Sequence, residues 1–236
     1  MSGPRRLYLI RHGRVDFQSR DFRISPRGRQ WDPPLGERGL QQAQRLAARL
    51  VHMEAPPVVY SSPFVRCRQT IEPYASRAGF TPIFEEELGE VFVGAWEGLS
   101  FEEIISEDEE LARKFRDQEA MFSLAPGGET GEQLRTRVVT VVEAILERHP
   151  EGDVLMVTHG GVINAYLGHL LALDQDMFFL PENASVNSVV VEGDSRPSGA
   201  SRRVRFLNDV RHLTDPQVFE PKPRKPAAES AAHGPD

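Results

Sequence analysis

Two histidines in this chain stand directly before glycine at the end of an apolar run. Arg11-His12-Gly13 follows Leu7–Ile10, and His159-Gly160-Gly161 follows the run "DVLMVT" at 153–158. Each pairs an imidazole, which titrates near neutrality, with a strand end; the first adds a fixed cation. A third contribution comes from "SSPFVRCRQT" (61–70). Here Ser62 reads as an N-cap and Pro63 as the first helical residue, which puts Arg66 in the first turn. Exposed backbone N–H groups with an arginine beside them make an anion site. Singly, each group has an ordinary explanation: a histidine satisfied at a strand end, or an arginine on a charged face with Arg68 and Arg77. Jointly they converge, because ligands of open α/β sheets collect outside the carboxyl ends of the strands. The chemistry indicated is binding of an anion between two imidazoles and two guanidinium groups.

Strand-like runs alternate with helical patterns, the order that builds an α/β layer fold. Leu7–Ile10 is the first expected strand, and Leu40, Ala43, Leu46, Ala47 and Leu50 keep helical spacing after it. "PPVVYS" (56–61) is the second strand; in the helix after it Cys67, Ile71 and Tyr74 share one face, so Cys67 is expected in the core. Ser100 caps a helix at "SFEEI", and Thr130 with Gln133 forms a capping box before the stripe Leu134, Val138, Val141 and Ile145. A strand at 153–161 leads into a helix at 162–172, and "NSVVVE" with "RRVRFLN" reads as an antiparallel pair closing the sheet.

From about Thr214 the composition turns to Pro, Ala, Lys and Glu, the signature of a disordered tail, which divides the chain into one domain at 1–213 and a tail at 214–236. A net charge of −7 argues against a binder that works by general attraction to nucleic-acid phosphates. No apolar run reaches the length of a membrane span, and "MSGPRR" lacks the apolar segment of a secretory signal. A single cysteine forms no internal disulfide, so a reducing cytoplasm is the expected compartment. Nothing in the sequence indicates an oligomeric state.

Five segments in register, "LYLIRHG", "SSPFVRCRQT", "LGEVFVGAWEGLSFEEI", "PGGET" and "VTHGGVI", resemble the histidine phosphatase superfamily in its phosphoglycerate mutase-like branch. The resemblance runs from about residue 7 to "LNDVRHL" near residue 213. It implies a three-layer sandwich, a mostly parallel central sheet flanked by helices. It also implies hydrolysis of a small-molecule phosphate monoester through a phosphohistidine on His12, without cofactor or metal. By the same resemblance Arg11, Arg66 and His159 hold the phosphoryl oxygens, and Glu90 donates a proton to the leaving oxygen and then activates water. His12, Glu90 and His159 form the catalytic set. These residue types suit that chemistry, since phosphoryl transfer needs positive charge around the equatorial oxygens and an in-line nucleophile. Neighbouring arginines are expected to lower the pKa of His12, and to pull that of free Glu90 down. Gly13 is expected to let backbone approach the phosphate. Two positions depart from the family pattern, Arg14 where Glu or Gln is common and Gln18 where Asn is common. Both are substrate-binding candidates at the pocket mouth.

The alternatives are a phosphoglycerate mutase, disfavoured by the short segment between Gly98 and Pro126, and a non-catalytic binder of phosphate ligands, disfavoured by the complete set of pocket residues. Other chemistries lack their signatures. There is no His-Glu-x-x-His zinc spacing and no phosphate-loop Gly-Lys pair; Cys67 has Pro73 where a cysteine phosphatase needs arginine. Asp174 and Asp176 follow a helix pattern rather than a strand, so they read as solvated acids at a helix end.

Overall fold

The computed structural model describes residues 5–53, 57–106, 111, 113, 121–192 and 201–213. In chain order the elements are β1 (Arg5–Arg11), β2 (Phe22–Ser25), β3 (Gly28–Trp31), α1 (Glu37–Leu50), β4 (Val58–Ser61), α2 (Val65–Ala78) and β5 (Ile83–Phe84). Then come α3 (Phe101–Ile105), α4 (Gly131–Arg148), β6 (Val154–Thr158), α5 (Gly160–Leu170), β7 (Val186–Glu192) and β8 (Ser201–Asp209). The expected tail at 214–236 lies outside the described residues.

Six strands form one sheet in the order β5-β4-β6-β1-β7-β8. β4 runs parallel to β5 and β6, and β6 to β1; β7 is antiparallel to both β1 and β8. Only β7 therefore opposes the common direction, which makes the sheet mostly parallel. Successive side chains of a strand point to opposite faces, and here the two faces meet different helices. Leu7, Leu9, Val154 and Met156 pack with Leu134, Val138 and Ile145 of α4 and Ile163 and Tyr166 of α5. Ile10, Leu155 and Val157 pack with Leu46 and Leu50 of α1 and with Cys67, Ile71 and Tyr74 of α2. β6 is covered on both faces, and all five of its residues are buried. The result is the three-layer sandwich.

This arrangement creates the crevice. β1 and β6 are adjacent and parallel, yet β1 leads to α1 on one face while β6 leads to α5 on the other. Their carboxyl ends are thus left open between diverging chains, the place where α/β sheets bind ligands.

The structure revises several local expectations. α2 begins at Val65 with Phe64 as its N-cap, so Pro63 precedes the helix and Ser62 does not cap it. The first free N–H of that helix, on Val65, instead donates to both carboxylate oxygens of Asp32 at 2.9 and 3.1 Å. α5 starts at Gly160, two residues before the expected start, with His159 as N-cap. Leu40 faces solvent while Gly39 takes the buried position of that turn. The other two expected side-chain caps form: Ser100 with Glu103 and Thr130 with Gln133 are reciprocal capping boxes. The hairpin of β2 and β3, pairing Ser25 with Gly28 across Pro26-Arg27, was not anticipated.

Candidate active site

Three strands of the parallel set, β1, β4 and β6, each deliver one group to the same edge. His12 continues β1, and its N–H donates to Thr158 O at 3.0 Å; Ser62 continues β4 and donates to Val157 O at 2.9 Å. His159 continues β6. These extra rungs hold the three residues in register with the sheet, so the strand pairing fixes their spacing. The His12 and His159 rings meet edge-on with centroids 5.3 Å apart, and Phe64 packs edge-on to His159 at 4.9 Å. His159 Nε2 lies 2.8 Å from Ser62 Oγ.

The tautomer of His12 follows from its partner. Its Nδ1 lies 2.8 Å from the carbonyl oxygen of Gly13, which can only accept, so Nδ1 carries the proton. Nε2 then keeps its lone pair. The loop behind His12 is fixed by Gly13 N–H donating to Thr70 Oγ1 at 2.9 Å, and by Asn183 Nδ2 donating to His12 O at 3.1 Å. At Gly13 a Cβ would stand 2.8 Å from Gly39 O, so the missing side chain makes room for α1.

Arg66 is buried in the first turn of α2. Its Nη1 donates to Trp31 O at 3.1 Å and approaches Asp32 Oδ1 at 3.4 Å, and its guanidinium lies over the Phe64 ring. The unanticipated hairpin thus positions the arginine, and Asp32 neutralises part of its charge while capping the helix. Arg11 ends β1 with Nη1 donating to Pro181 O at 2.5 Å. Its Nε is buried without a hydrogen-bond partner, a donor in need of an acceptor. Glu90 accepts from the N–H of Val91 at 3.0 Å and of Gly161 at 3.2 Å. A Cβ on Gly161 would stand 2.6 Å from Glu90 Oε1, so that glycine admits the carboxyl group.

Burial governs the electrostatics. It lowers the pKa of His12 well below the usual imidazole value, with the Arg66 and Arg11 cations adding to the effect. His159 is depressed in the same way, by burial and then by Arg66. Glu90 is raised above the usual carboxyl value, because burial outweighs the pull of Arg66 and Arg11. This corrects the expectation that the arginines would draw it down: the charged form loses more hydration than they return. Cys67 lies 3.5 Å from His159 Nε2, and burial pushes its thiol up, so it stays a protonated packing group.

A cavity of about 380 Å³ opens over this edge, lined by Arg11, His12, Arg66 and Glu90 on one side and by Phe17, Trp31, Trp96, Leu99, Phe122 and Leu180 on the other. His159 is fully buried and not part of the wall. Arg14 and Gln18 are exposed and do not line it; Arg14 stacks on Phe17 at 5.6 Å. Ser62, Asp32, Thr70 and Asn183 were missed as site residues. For Asp32 and Asn183 no sequence signal existed, since both act through chain segments brought in by the fold. Among the described residues there is no cluster of three or more His, Cys, Asp or Glu side chains that could hold a metal ion.

The sequence model of the histidine phosphatase superfamily (branch 1) matches residues 7–199. The chain belongs to this superfamily. The metal-independent phosphoserine phosphatase of Arabidopsis thaliana is 32% identical over 184 residues, 78% of this chain and 75% of that protein. The probable phosphoglycerate mutase GpmB of Shigella dysenteriae is 26% identical over 216 residues, covering 91% of this chain and 97% of its own length. A mycobacterial glucosyl-3-phosphoglycerate phosphatase solved with VO3 superposes with a TM-score of 0.70 at 28% identity, covering 86% of this chain and 98% of that one. This histidine phosphatase is a hydrolase of phosphoric monoesters.

Proposed function

We propose that His12 is the nucleophile, that Arg11, Arg66 and His159 hold the phosphoryl group, and that Glu90 is acid in the first step and base in the second. The observation that carries this reading is the hydrogen bond from His12 Nδ1 to Gly13 O, in a residue whose ring feels both the buried Arg66 and the half-buried Arg11. It leaves an unprotonated Nε2, kept neutral by burial and adjacent cations, beside the charges that a phosphoryl dianion needs. Nε2 attacks phosphorus, the ester P–O bond breaks, and the Glu90 carboxyl proton goes to the departing alkoxide. The resulting imidazolium still donates from Nδ1 to Gly13 O. Glu90, now a carboxylate, takes a proton from water as its oxygen attacks phosphorus; the P–N bond breaks and His12 returns neutral. His159, fully buried, would act from the floor of the site.

The substrate is a small phosphate ester, as the names of the phosphatase relatives support. A mutase reading would require a place for a phosphoglycerate carboxylate, and among the described residues the cavity wall offers no cation besides Arg11 and Arg66. Quenching a turnover of ³²P-labelled ester should trap acid-labile, base-stable label on His12. His12→Ala should lose the label and reduce kcat/KM by at least about 10³-fold. Label on another residue, or full activity in His12→Ala, overturns the assignment.

A further inference from the structure

We infer that the alcohol portion of the substrate is bulky and apolar and bears no second negative charge: an alkyl or aryl monophosphate rather than the ester of a carboxylated alcohol. This rests on the phosphatase reading and concerns the other end of the substrate. The phosphoryl group needs only the floor of the cavity, where Arg11, His12 and Arg66 stand. The remaining space is walled by Phe17, Trp31, Trp96, Leu99, Phe122 and Leu180. Three of these form a rim that water reaches: Phe17 is 61% exposed, Leu99 46% and Leu180 72%. Large apolar side chains exposed singly are ordinary, but several around one cavity mouth mark a binding surface.

The charges in the wall agree. Among the described residues its two cations belong, with His12, to the floor, and its other ionisable groups are the carboxyls of Glu90 and Glu97. Glu97 accepts from the N–H of Trp31 at 2.7 Å and of Val93 at 3.1 Å, so it braces the wall and brings no positive charge to it. Among the described residues the buried polar atom of the wall left unpartnered, apart from Arg11 Nε, is Gln30 Oε1, an acceptor, which also gives a carboxylate nothing. Arg14, stacked on Phe17, stands outside the wall.

The test compares kcat/KM for methyl, butyl and hexyl phosphate with that for phosphoserine and 3-phosphoglycerate. Leaving-group acidity is nearly constant along the alkyl series, so the trend reads contact with the wall. Each methylene should add about three- to fourfold, placing hexyl phosphate about 200-fold or more above methyl phosphate, and above both carboxylated esters. Leu180→Lys, at an exposed site that tolerates the change, should cost hexyl phosphate about tenfold and improve 3-phosphoglycerate. A flat alkyl series, a preference for the carboxylated esters, or an unchanged selectivity in Leu180→Lys overturns the inference. If His12 takes up label while the series is flat, only the inference falls; if no ester labels His12, the phosphatase assignment falls with it.

Discussion

His12 and Glu90 are tuned in opposite directions by one cause. Burial removes water from both, and each responds by favouring its neutral form. Neutral is what each needs at the start: an imidazole with a lone pair and a carboxyl with a proton. The rate should therefore fall on the acid side as His12 protonates, at a pH below the ordinary imidazole value, and on the alkaline side as Glu90 ionises, at a pH above the ordinary carboxyl value. Glu90→Gln should abolish the alkaline limb. It should slow His12 phosphorylation by about 10²–10⁴-fold for a sugar-type alcohol but far less for a nitrophenyl ester, with phosphoenzyme accumulating. Equal losses for both esters, without accumulation, would remove Glu90 from the mechanism. The same shift has a sign in stability. A carboxyl raised on folding favours the native state below its unfolded pKa and loses that advantage as pH rises through the folded value. Glu90→Gln should accordingly raise Tm near pH 7 and give no gain below about pH 4. The motif around Glu90 was readable in the sequence; its burial was not, because the Gly161 backbone that encloses it lies far along the chain.

Among the elements, α2 depends most on a residue outside itself. Its first N–H and its functional arginine both lean on Asp32 at the end of the β2–β3 hairpin. Asp32→Ala leaves the first N–H of the helix and part of a buried guanidinium without their partner, so the denaturant midpoint should drop by an amount worth about 1–3 kcal/mol at unchanged m. KM for a phosphate ester should rise more than kcat falls, since Arg66 would be loosened rather than lost. A variant as stable and as tight-binding as wild type would mean that the cap is idle. The strands and long helices were legible because their apolar spacing is strong: Leu7–Ile10, and the stripe from Leu134 to Ile145, sit in the core where their period puts them. The hairpin was not, because "FRISPRGRQW" has too little apolar alternation to announce strands. Ser62 misled because a serine before proline imitates a cap, while the chain uses its hydroxyl on His159.

For the whole molecule, the alternation of strand and helix foretold the layers, but no local pattern could give the strand order. We further propose that the stretch after residue 214 adds nothing to the domain, since its few large apolar side chains could order little. Deleting residues 216–236 should leave Tm within about 2 °C and kcat nearly unchanged, since 1 kcal/mol moves Tm by about 2–4 °C at this size. A larger change in either would assign the segment a docking role. The central place of β1 also bears on how the protein is made. The strand that delivers the nucleophile leaves the ribosome well before its partners, since Leu7 pairs with Val154 on one side and Val189 on the other. Until those residues are synthesised, an apolar segment with two unpaired edges has no native neighbour, and closing such long loops is slow. The growing chain must therefore carry β1 unpaired until β6 and β7 emerge. The early chain is accordingly an aggregation hazard and a client for chaperones. It acquires a working site only when β6 and β7 enclose its first strand.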